Sequence, residues 1–132
     1  MKTAYSVNLS DPSYNDGEGE RMFIATFSED LCEKDLDEGF FKGDIVTFGA
    51  TAVCPKLNSS LYSMLKRVKK SGGITIVNTV YDYISEKKCK ESRWFLGEND
   101  ECYAIVDLLI MNSLESKRLS GKSSIKEAVE FF

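Results

Sequence analysis

Apolar and polar positions alternate at the start of this 132-residue chain, and strand and helix spacings then take turns to its end. Tyr5, Val7 and Leu9 alternate with polar neighbours, the period-two signature of a half-buried strand. The segment Asp11-Pro12-Ser13-Tyr14-Asn15-Asp16-Gly17-Glu18-Gly19-Glu20 is dense in turn formers, and Arg21–Phe27 returns as a second strand. Together they predict a β-hairpin with a long, acidic, mobile turn. After an acidic stretch with a short helix around Glu33 to Glu38, Asp44–Ala50 reads as a buried strand running into a glycine turn. Leu57, Leu61, Met64, Leu65 and Val68 then fall on one helical stripe. The spacing predicts a helix from about Asn58, which can cap it, to Ser71, where Gly72 and Gly73 end it.

Ile74–Asn78 is a β-branched run bounded by turn signals. Strand, helix, strand in this order predicts a βαβ unit with two parallel strands. The pattern from Thr79 to Val106 is weaker. Lys87, Lys88, Cys89, Lys90 and Ser92 read as exposed, Trp94, Phe95 and Leu96 as loop anchors, and Asn99 to Ala104 as a short helix. Asp107–Met111 is a third buried strand, followed at once by a helix over Ser113–Leu119 that Gly121 ends. Ser124 and Glu127 have the spacing of a capping box opening a last helix. The predicted fold is α/β: three parallel core strands with flanking helices and an N-terminal hairpin. Residues 1–43 form the hairpin and acidic connector, and residues 44–132 the α/β core.

The junction between the third strand and its helix carries the chemistry. Asn112 ends the strand and Glu115 follows three residues later, so Asn112 can cap the helix while Glu115 reaches back to the cap N–H. The same pair sits where open α/β sheets bind ligands, outside the carboxyl ends of the strands. Capping and ion binding both fit this spacing.

Composition narrows the chemistry further. Hydrophobic residues make up 42% and charged residues 29%, as in ordinary globular domains, and no apolar run is long enough to span a bilayer. A cytoplasmic protein without membrane contact is expected. The four cysteines, Cys32, Cys54, Cys89 and Cys102, form no CxxC pair, and there is no histidine. Reduced thiols are expected, with no zinc site and no Ser-His or Cys-His catalysis. Phosphoryl transfer loses nothing by this, because it runs on carboxylate, backbone amides and metal. The net charge of −4 argues against nucleic acid as the main partner. Lys66, Arg67, Lys69 and Lys70, in the last turns of the long helix, read as a solvated face that complements its dipole.

Four segments in order resemble the ribokinase-like PfkB family of carbohydrate kinases. They are Ser6–Pro12 with Gly19–Ile24, Gly43–Ala52, Gly73–Asp82, and Asp107–Gly121 with its Asn112-x-x-Glu115 pair. The resemblance spans nearly the whole chain. It implies a ribokinase-like fold in which the hairpin is a lid over the sugar, ATP is the phosphoryl donor and magnesium is required. Asn112 and Glu115 would organise the magnesium-bound phosphate without ligating the metal directly. Gly49, Ala50 and Thr51 would border the sugar, and Asn78 would line the same crevice, although an Asn there equally satisfies a turn. Ala50 stands where some relatives place a polar sugar contact.

The family also carries a diglycine motif ahead of the lid and a Gly-x-Gly-Asp motif whose aspartate is the catalytic base. Neither has a counterpart here, so no catalytic residue is assigned. The expectation is a lid-and-middle fragment of an ATP-dependent sugar kinase, inactive alone. The alternative is a non-catalytic interaction or oligomerisation module derived from such a kinase. A homo-oligomer is expected in either case, because a three-stranded sheet leaves edges and apolar surface open. A flavodoxin-like nucleotide domain is a weaker third reading, lacking a glycine-rich loop after the first strand.

Overall fold

The computed structural model describes residues 5–13, 20–26 and 31–132. The chain divides into two units, Met1–Asp30 and Leu31–Phe132. In the first, β1 (Tyr5–Asp11) and β2 (Glu20–Thr26) form the expected antiparallel hairpin, paired from Tyr5 with Thr26 to Asp11 with Glu20. The Asp11 carboxylate accepts from the Ser13 backbone N–H at 3.0 Å and its hydroxyl at 2.7 Å, turning the chain out of β1. The expected mobile part of the turn, residues 14–19, lies outside the described residues. Val7 and Ile24 face each other across the pair and remain about half exposed.

The second unit opens with two short 3-10 turns, Glu33–Asp35 and Glu38–Lys42, where the sequence suggests one short helix. The division has a local cause. The Asp35 carboxylate turns back to accept from Cys32 N, and that of Asp37 accepts from Gly39 N, so each aspartate closes its own turn. Phe41 at the end of this connector is buried in the second unit's core.

The sheet comprises β3 (Ile45–Gly49), β4 (Ile74–Asn78) and β5 (Leu108–Ile110), all parallel, in the order β3-β4-β5. Between β3 and β4 run α1 (Pro55–Ser59) and α2 (Leu61–Lys70). The expected single helix from Asn58 is therefore divided. Pro55 takes the first helical position of α1, which its fixed φ suits, and the chain steps at Ser60 before α2 begins. Asn58 lies inside α1 and caps nothing. Its side-chain oxygen accepts from the Thr51 hydroxyl at 3.0 Å, and its amide donates to the Gly97 carbonyl at 3.4 Å. At the other end the two glycines behave as expected. Gly72 takes φ +83°, and a Cβ at Gly73 would fall 2.6 Å from the Gly43 carbonyl oxygen. The corner into β4 closes only because no side chain is there.

The α2 stripe is the centre of the core. Leu61, Met64, Leu65 and Val68 are fully buried against Val46, Phe48 and Val77 of the sheet, with Phe41, Trp94, Leu96, Cys102 and Leu119. Each such side chain contributes on the order of 1.5–3 kcal/mol by leaving water. Burial pushes the Cys102 thiol up to about 11, so it acts as a packed apolar group.

Segment 79–106 contains α3 (Tyr83–Lys88), which the sequence pattern does not reveal; Asp82 caps it by accepting from Ser85 N. A 3-10 turn at Asp100–Ala104, with Asn99 as its cap, replaces the expected short helix. Trp94 and Leu96 anchor this segment as expected, but Phe95 is 48% exposed. After β5 come α4 (Ser113–Ser120) and α5 (Ile125–Phe131), each opened by the foreseen capping box, and Gly121 ends α4 at φ +70°.

β5 departs from the expectation of a fully buried strand. Side chains on one face of the sheet, Ile45, Ile74, Leu108 and Ile110, are each about half exposed or more. Paired positions fall on the same face, and the buried set Val46, Phe48, Thr75 and Val77 lies on the other. Within the described residues of the second unit, apolar runs that read as doubly covered strands are thus covered on one side only.

Candidate functional site

Hydrogen bonds continue past the strand ends and draw the candidate residues together. The Ala50 N–H donates to the Asn78 carbonyl at 2.9 Å, and the Thr79 N–H to the Ile110 carbonyl at 2.9 Å. Gly49 and Asn78 are register partners, as are Asn78 and Ile110. Loop 49–51, residues 78–79 and the start of α4 therefore share the carboxyl edge of the sheet, the edge at which open α/β sheets take ligands.

Backbone conformation shapes the β3 side of that edge. Ala50 sits in the left-handed region at φ 55°, ψ 33°, unusual without the freedom of glycine. It thereby turns the chain into the single 3-10 turn Thr51–Val53 and buries Thr51, whose hydroxyl donates to Asn58. A Cβ added at Gly49 would meet no atom within 4 Å, so space is open outside β3. The side chain of Asn78 is exposed, and no hydrogen bond joins it to the other candidate residues.

On the β5 side, Glu115 is 6% exposed and held by three donors. One carboxylate oxygen accepts from the Thr79 hydroxyl at 2.6 Å and from Asn112 N at 3.2 Å; the other accepts from the Asn112 side-chain amide at 2.8 Å. Asn112 completes the box by accepting from Glu115 N at 2.9 Å. The capping role is therefore realised. A buried carboxylate needs such donors, since an unpaired one would carry a large desolvation cost. Three of its roughly four acceptor positions are filled, leaving one edge free.

Thr79 is the residue sequence reasoning missed here. Its only signal is a hydroxyl immediately after a strand-ending Asn, and its partner lies 36 residues away. The sequence pattern likewise marks Asp107 only as the start of a strand, whereas β5 begins at Leu108. Its carboxylate binds Lys69 Nζ at 2.7 and 2.9 Å and accepts from both the Thr75 backbone N–H and hydroxyl. Lys69 and then the Thr75 donors hold its pKa down, to about 2.

The basic cluster is correspondingly less uniform than a solvated face. Arg67 bridges Glu33 and Glu38 and lies 3.6 Å from the centre of the Phe41 ring, while Lys69 clasps Asp107. Lys66 lies against the Tyr62 ring, and Lys70 forms no ion pair among the described residues.

Among the described residues no three His, Cys, Asp or Glu side chains are grouped to hold a metal ion. Among the described residues Cys32, Cys89 and Cys102 carry free thiols. No helix among the described residues is long and apolar enough to cross a membrane. No protein-family model matches the chain, and no curated protein sequence matches it significantly.

Proposed function

We propose that the chain is the lid and middle α/β portion of an ATP-dependent carbohydrate kinase of the PfkB type. The complete enzyme, acting in the cytoplasm, transfers the γ-phosphoryl group of ATP to a sugar hydroxyl. The observation that carries this reading is the buried Glu115 carboxylate, locked by Asn112 and Thr79 at the carboxyl edge of a parallel sheet that also carries loop 49–51.

The residues fit magnesium as outer-sphere partners and not as a direct cage, because three donors already occupy Glu115. The ion, when bound, neutralises charge on the transferring phosphoryl group. Glu115 presents its free acceptor edge to water around the phosphate. Asn112 and Thr79 fix the orientation of that edge, so no reorganisation is needed at the moment of reaction. Gly49 and Ala50 leave room for the sugar ring beside β3, Thr51 shapes the turn that borders it, and Asn78 lines the crevice with its exposed amide. The hairpin serves as the lid that excludes water. No Gly-x-Gly-Asp sequence occurs in the 132 residues, so the chain alone supplies neither base nor anion hole and is inactive by itself.

Sequencing the transcript on both sides of the encoding segment tests the reading. A frame continuing into a Gly-x-Gly-Asp motif is expected. Sugar phosphorylation by the purified chain with ATP, magnesium and a sugar panel would overturn the assignment of the base elsewhere.

A second reading is favoured by the bare face of the sheet. Parallel sheets are ordinarily covered on both faces, whereas Ile45 is 61% and Leu108 49% exposed here. In this reading the chain is a non-catalytic module whose sheet face packs against a second copy.

A further inference from the structure

Along α4, from Leu114 in its first turn to the loop beyond its C-terminal end, lies a surface cleft of about 410 Å³, within the range of small-ligand sites, ~300–1,000 Å³. Arg93, Lys117, Arg118 and Lys122 line it, with Glu91 as the single acid, in a chain whose net charge is −4. The cations divide into two kinds. Both arginines are committed along one edge: Arg93 donates to Asp100 and to the Leu119 carbonyl, and Arg118 to Glu86. They are thereby immobilised, with further N–H groups left over, and Arg118 Nε is buried without any partner. Lys117 and Lys122 form no ion pair among the described residues. Neither is tied down by an ion pair, although Glu127 lies close enough to Lys122 to feel its charge.

Placement at the C-terminal end of α4 accounts for Lys117 and Arg118 as complements to its dipole. It does not account for Arg93 or Lys122, which lie outside the helix. Gly121 is what lets them converge. Its αL conformation turns the chain toward α5, and a Cβ there would press to 3.3 Å on the Arg93 side chain.

We propose that this cleft binds a small phosphate monoester. The ester is a dianion at neutral pH, since its second ionisation falls near pH ~6. Two ammonium groups outside any ion pair match its charge, and the guanidinium edges offer several N–H donors to a group with three terminal oxygens. The hydroxyls of Ser92 and Ser123 at the rim add donors, and Leu114 supplies an apolar wall for the ester's carbon skeleton. The proposal does not depend on the kinase reading, because neither Asn112 nor Glu115 lines the cleft.

Glycerol 3-phosphate is the probe, with glycerol as the uncharged control, titrated into the isotopically labelled chain while backbone amide shifts are followed. Saturable shifts at Ser92, Gly121 and Ser123 are expected with the phosphate ester and not with glycerol. K117Q/K122Q should weaken binding at least tenfold. K66Q/K70Q, an equal charge change on α2, should weaken it less than twofold. Ser123→Asp, which adds a repelling charge at the rim without touching either lysine, should repeat the loss and guards against a folding defect in the double variant. Equal weakening by both lysine pairs, shifts centred on Asn78, Thr79 and Asn112, or no saturation by about 10 mM ester, far above the ~1 mM scale of weak specific sites, would overturn the proposal.

Discussion

Replacing Glu115 with alanine removes a buried carboxylate that ties α4 to the sheet, and its cost can be worked from the contacts. The change takes the Glu115 acceptor from the Asn112 amide groups and from the Thr79 hydroxyl, which retains the Ile110 carbonyl at 3.2 Å as an alternative. Loss of a capping interaction costs about 0.5–2 kcal/mol, and loss of a hydrogen bond to a charged group about 1.5–3 kcal/mol. The terms overlap, because Asn112 still caps the Glu115 position through its own side chain, so a total of about 2–4 kcal/mol is expected. Glu115→Gln keeps an acceptor for one donor and should cost roughly 1 kcal/mol. Trp94 is the single tryptophan and is buried in the second unit, so its fluorescence in urea reports that unit's unfolding. In a double-mutant cycle with Thr79→Val, the 2.6 Å contact should appear as a coupling of about 1–2 kcal/mol. A Glu115→Ala cost below about 0.5 kcal/mol, the level of an ordinary surface change, or vanishing coupling to Thr79, would refute the fixed-carboxylate geometry on which the functional reading stands.

Leu65→Ala, at a fully buried position of the α2 stripe, should destabilise the second unit by about 2–5 kcal/mol in the same urea assay. Asp107 is held below the usual carboxylate range, so the stability it provides is fully present above about pH 4 and fades as pH falls toward 2. Asp107→Asn should flatten that part of the urea-midpoint profile between pH 2 and 5 and leave the slope above pH 5 unchanged. The bare sheet face should pair two copies. Sedimentation at micromolar concentration should show a dimer that Leu108→Lys converts to monomer, and a folded, strictly monomeric parent chain would exclude this face as an interface.

Local signals carried far in this chain. Leu61, Met64, Leu65 and Val68 declared α2 because a helix repeats every 3.6 residues wherever it packs, and the Asn112–Glu115 and Ser124–Glu127 boxes marked helix starts because both partners lie within one turn. The parallel order of Ile45–Gly49 and Ile74–Asn78 followed from the intervening helix. Aspartates that close their own turns divided the 33–42 segment, and Pro55 started α1 ahead of the stripe, since single side chains can override a weak periodicity.

What only the tertiary structure decided are partnerships across long stretches of chain. Thr79 with Glu115, Asp107 with Lys69 and Thr75, and Arg67 with Glu33 and Glu38 join residues 29 to 38 positions apart. No periodicity encodes such pairs, because they exist only once helices dock and strands take register. The same holds for the exposed face of Ile45, Ile74, Leu108 and Ile110: an apolar run reads alike whether one face or two are covered, and which it is depends on where the helices pack.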